Sequence, residues 1–153
     1  MMNDKLKLDL NRNLLGITFT MFVLILTLEL RLLTESILIP LQLTIAIPLF
    51  LSSSFARVTK NNSRKKEIWN SYAFITFIIG YSFLINVIGL LLSNALNPML
   101  GLIFFLINIL TAIIYSTLKF VEEESIIKTR IMKDCLFILI LILGGILPSL
   151  GYY

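Results

Sequence analysis

Apolar residues in this chain fall into five long blocks, separated by short polar stretches. Within a block there is no polar face. Leu136 to Leu143, for example, is apolar at every position. A membrane-barrel strand alternates apolar and polar residues at every second position, so the blocks predict helices. A hydrocarbon layer of roughly 30 Å takes about 20 helical residues to cross. The pattern predicts spans at 14–33, 37–56, 68–93, 99–118 and 135–150. It predicts cytoplasmic loops at 57–67 and 119–134. The expected fold class is therefore an all-α integral membrane protein, a bundle of about five transmembrane helices forming one domain over residues 1–153.

Local chemistry refines the spans. Residues 1–13 form a polar arm in which leucines are interleaved with charges, suited to lying on headgroups. Pro40 stands in the first turn of span 2, where a missing N–H costs nothing. Pro48 stands in mid-span and predicts a helix kink with a freed carbonyl. Span 3 is long and implies tilt, and Trp69 and Tyr72 open it as an interfacial belt. Asn97-Pro98 is a helix start, with an N-cap side chain followed by proline at the first helical position. In the second charged loop, Glu124 and Lys128 are four apart, a spacing that suits a short surface helix. Span 5 is the weakest, interrupted by Gly144, Gly145 and Pro148.

Charge orients these spans. Arg57, Lys60, Arg64, Lys65 and Lys66 crowd into ten residues that hold no acid. Short loops rich in Lys and Arg stay on the cytoplasmic side. With the N-terminus inside, twelve of the thirteen basic residues fall on that side, and only Arg31 does not. The composition agrees: 58% of the 153 residues are hydrophobic and 14% charged, whereas a soluble domain is nearer a quarter charged. The net charge of +4 is read as helix orientation and contact with anionic headgroups, with no nucleic-acid partner. The expected localisation is a plasma membrane, multi-pass.

Catalytic chemistry has little to work with. There is no histidine and one cysteine, Cys135, which excludes Ser-His and Cys-His pairs, HExxH zinc sites and sulfur-ligated metal sites. No enzyme activity, metal or other cofactor is expected. The stretch Glu123-Glu124-Ser125-Ile126-Ile127-Lys128 resembles the EExxxR motif of intramembrane CAAX-type proteases. Lysine stands where that motif has arginine, the downstream histidines are absent, and the stretch falls in a charged loop, so it reads as a solvated helix face.

A set of polar residues lies in the outer half of the predicted bundle: Glu29, Arg31, Glu35, Gln42, Asn86 and Asn108. Ionisable residues at such depth usually face a bundle interior or a wet cavity, and Glu29 could serve as a proton or cation site there. The plainer reading is local. Arg31 and Glu35 are four apart and can pair while reaching for water, and amides can hold helices together. Ser52, Ser53, Ser54, Ala56, Gly80 and Gly89 suit close helix contact. Two functions are expected from this reading. One is a small non-enzymatic membrane protein acting through lateral helix contacts, as an accessory or modulatory subunit or an immunity-type protein. The other is a small oligomeric transporter or channel using the polar cluster around Glu29. The partners expected are membrane lipids and either another membrane protein or further copies of the chain. The Ile-, Leu-, Asn- and Lys-rich composition resembles that of small membrane proteins from AT-rich bacteria.

Overall fold

The computed structural model describes residues 4–28, 37–122 and 127–151. Regular structure among them is entirely helical: α1 (Asp4–Leu28), α2 (Leu38–Asn62), α3 (Lys66–Ala95), α4 (Pro98–Glu122) and α5 (Ile127–Leu141). After Leu141 the chain widens into a π-helical turn, Ile142–Ile146, and closes with one α turn, Leu147–Ser149. Among the described residues, four stretches are long and apolar enough to cross a membrane: Leu38–Lys60, Lys66–Ala95, Pro98–Leu118 and Met132–Ser149. Of the expected first span, α1 supplies the part up to Leu28, and residues 29–33 lie outside the described residues.

Helices run further than the apolar blocks that mark them. The expected polar arm is helical from Asp4 and continuous with α1. Most of the expected loop 57–67 is helix, leaving Ser63, Arg64 and Lys65 as the connection between α2 and α3. The charged residues from Ile127 onward are not a separate surface helix; they are the first turns of α5. Once the adjacent span is helical, each further residue adds a backbone hydrogen bond without the cost of a new nucleus, so even Val58, Thr59, Asn61 and Asn62, which are weak helix formers, continue α2.

Prolines and caps act locally. Asn97 Oδ1 accepts the Met99 N–H at 2.8 Å, and Pro98 opens α4, as the sequence predicts. α2 continues unbroken through Pro48; that residue has no N–H to offer the Thr44 carbonyl four residues earlier. Pro148 has a larger consequence. Its ring would press on the carbonyl of Gly144 in a regular α-helix. The helix takes up an extra residue in the turn before it, and the Leu147 N–H reaches back five residues to Ile142 O. Span 5 thus passes Gly144 and Gly145 as a helix of changed pitch.

The chain packs as two compact units whose boundary lies within α3, between Leu84 and Ile85. In the first unit, α1 and α2 pack against each other. Ile39, Leu43, Ala46, Phe50, Ser53 and Ala56 of α2 are buried, at the three-and-four spacing of a helix seam. Asn11 and Thr18 of α1 are buried. In the second unit, the C-terminal part of α3, α4 and α5 meet around Phe105, which is fully buried.

Candidate functional site

The second unit contains the tightest junction described. Phe105 projects from α4 between two glycines, Gly89 of α3 and Gly145 of the π-helical turn. A Cβ built on Gly145 would lie 2.5 Å from the Phe105 ring and 2.6 Å from Asn86 Oδ1. A Cβ on Gly89 would also collide with that ring. Both glycines are therefore sockets, needed because a ring and a helix backbone cannot otherwise approach so closely. Asn86 completes the junction: its Nδ2 donates to Ile140 O at 3.0 Å, tying α3 to α5 just before the widened turn. Asn86 is fully buried, and its Oδ1 takes no hydrogen bond from the described residues. At the charged end of α5, Ser116 Oγ donates to Asp134 Oδ2. Lys133 Nζ lies 3.9 Å from Asp134 Oδ1 and 5.9 Å from the centre of the Tyr115 ring.

The first unit is held by hydrogen bonds between helices. Asn11 Nδ2 donates to Phe50 O at 2.9 Å and to Ser54 Oγ at 2.6 Å. Ser54 Oγ in turn donates to Phe50 O at 3.0 Å, so one carbonyl of α2 receives two side chains. Asn11 is fully buried. Ser53 Oγ donates to Ala73 O at 2.7 Å, and the Ser52 and Tyr72 hydroxyls share a hydrogen bond of 2.6 Å. These two contacts join α2 to α3. Phe50 meets Phe77 edge-on at 6.0 Å, and Phe77 stacks on Tyr81 at 6.1 Å.

The residues expected to form a polar cluster are placed as follows. Glu29, Arg31 and Glu35 lie outside the described residues. Gln42 is buried in the first unit. Asn86 bonds α5 as described, and Asn108 Nδ2 donates to Phe104 O of its own helix at 2.9 Å. Residues 123–126 of the protease-like stretch are also outside the described residues. Among the described residues, no three His, Cys, Asp or Glu side chains gather in a way that could hold a metal ion. Of the basic residues that orient the chain, Arg57 places its guanidinium 5.7 Å from the centre of the Phe77 ring, while Arg64, Lys65 and Lys66 are exposed.

Residue patterns alone miss three of these features. Asn11 sits in what reads as a polar arm, with charged neighbours that hide its burial. Gly145 reads as an interruption, whereas it is a socket. Phe105 is one aromatic among many in an apolar run, and nothing in that run sets it apart. No family model, curated protein or solved structure matches this chain.

Proposed function

We propose that this chain is an integral membrane protein without enzymatic activity. It acts through lateral helix contacts, as an accessory or modulatory subunit or an immunity-type protein of a bacterial membrane system. It lies in the plasma membrane with the N-terminus and both basic stretches on the cytoplasmic side, where Lys and Arg are retained. The observation that carries this reading is the surface of α4. Within its span-length window only 11% is buried inside the chain, against 56% for α3. Ile103, Leu106, Ile107, Leu110 and Ile114 are all exposed, and their spacing places them along one stripe of the helix.

The test is site-specific photocrosslinking from Leu106 and Leu110 in native membranes, read by mass spectrometry after purification in mild detergent. A single second membrane protein, captured at fixed stoichiometry, is the expected result. Crosslinks to lipid alone would remove the reading. Crosslinks to further copies of the chain would favour transport instead. That reading draws on the buried Oδ1 of Asn86, an acceptor of the kind that lines polar paths within bundles. Its own test is flux in reconstituted liposomes, which Glu29→Gln is then expected to abolish.

A further inference from the structure

The basic stretch between α2 and α3 is a short, hydrogen-bonded turn. α2 reaches Asn62 and α3 begins at Lys66. The three residues between them are pinned at Ser63, whose N–H donates to Lys60 O at 3.4 Å and whose Oγ accepts the Lys65 N–H at 3.1 Å. Below the turn the two helices are fastened by the Ser53–Ala73 and Ser52–Tyr72 hydrogen bonds. Ala56 and Ala73 are 1% exposed, so little room is left for the helices to slide. Arg64, Lys65 and Lys66 project from this clamped base, with Lys60 in the last turn of α2. One acid, Glu67, stands next to them and is exposed.

The aromatic residues complete the arrangement. Trp69 follows Lys66 by three residues and Tyr72 by six, or about 4.5 Å and 9 Å along a helix axis. Their rings meet edge-on at 6.3 Å. This ladder runs from cationic donors at the tip to indole and phenol one and two turns deeper. It matches the order of groups met on passing from phosphate to glycerol to acyl chain.

We infer that the α2–α3 turn is a binding site for the headgroup of an acidic phospholipid, its phosphate held by Arg64, Lys65 and Lys66 and its glycerol region packed at Trp69. The inference rests on the membrane reading above but goes beyond charge-directed orientation. Orientation depends on how many positive charges a short loop carries, whereas selective binding of one lipid class depends on donors held in a fixed geometry.

Trp69 is the single tryptophan, so its fluorescence reports on this site alone. The full chain is reconstituted in phosphatidylcholine vesicles containing a small fraction of lipid with brominated acyl chains, either phosphatidylglycerol or phosphatidylcholine. Quenching of Trp69 then measures how often each lipid lies beside it. Brominated phosphatidylglycerol is expected to quench roughly threefold more effectively, with the preference shrinking as salt is raised. The triple variant Arg64→Gln, Lys65→Gln, Lys66→Gln is expected to show no preference while keeping its Trp69 emission in phosphatidylcholine. A second triple variant, Lys119→Gln, Lys128→Gln, Arg130→Gln, changes net charge equally and is expected to keep the preference. Equal quenching by the two lipids, or equal loss of preference in both variants, would overturn the lipid site and leave the membrane reading standing. Absence of quenching by either lipid would overturn both.

Discussion

The two compact units hold their helices together by different means. In the first, polar side chains cross from one helix to the next: Asn11 to the Phe50 carbonyl, Ser53 to the Ala73 carbonyl, Ser52 to Tyr72. In the second, an aromatic ring fills a space that two glycines leave open, and a single amide, Asn86, spans from α3 to α5. In the membrane setting proposed above, apolar helices have little hydrophobic driving force between them, so packing and hydrogen bonds carry association. The first unit relies more on hydrogen bonds and the second on packing. A hydrogen-bonded contact weakens by a modest amount when one group is lost. A ring in a socket fails abruptly when the socket is filled.

That contrast can be broken most forcefully at the sockets. Gly145→Ala and Gly89→Ala each place a methyl group against the Phe105 ring, and each is expected to cost about 2–3 kcal/mol. The measurement is unfolding in mixed micelles of rising dodecyl sulfate fraction, with a fluorophore on Cys135, the single and exposed cysteine, reporting the second unit. Phe105→Leu combined with Gly145→Ala should destabilise less than the two separate changes added, because the smaller side chain leaves room for the methyl group. Strict additivity in that pair would mean that the ring and Gly145 do not meet.

Smaller effects are expected from single hydrogen bonds. Asn86→Ala should destabilise by about 1–2 kcal/mol, since it removes both the bond to Ile140 O and the fill around Gly145. Asn11→Ala should cost about 1 kcal/mol, seen in the Trp69 emission during the same titration. Ser53→Ala should cost roughly 0.6 kcal/mol, the usual worth of an interhelical hydrogen bond in a bundle of this kind. Should Asn11→Ala prove as damaging as Gly145→Ala, the distinction between the two units would collapse.

Gly16 supplies the control of smallest expected effect. It lies in α1, with open space where a Cβ would go. Gly16→Ala is expected to be neutral or to stabilise by up to about 1 kcal/mol, through helix propensity alone. Destabilisation there would show that α1 has a neighbour at that face.

Much of the helical layout is legible in the residue pattern, because long apolar blocks with no polar face permit little else. The start of α4 follows from Asn97-Pro98, since an N-cap oxygen and a residue without an N–H both suit that position. Asn86 stands out as an amide within an apolar run, and it does join two helices. Other features depend on how each helix is rotated about its axis. Asn11 is buried and Asn13 is exposed, although both are asparagines in the same polar stretch. Rotation is set by the neighbouring helix, which local sequence does not contain. The same holds for helix ends: charged residues at 57–62 and 127–134 are compatible with loop or helix, and continuation of backbone pairing from the adjacent span decides between them.

Sequence by itself determined that this chain forms helices, that its apolar blocks approach membrane-crossing length, and where its positive charge concentrates. These are properties of composition and period, summed over twenty residues at a time, and no single contact alters them. Tertiary structure alone decided which polar groups find partners, which glycines act as sockets, and that the basic stretch is a clamped turn. Those outcomes turn on separations of a few tenths of an ångström between residues far apart in the chain. Packing density makes such separations matter, and no local pattern encodes them.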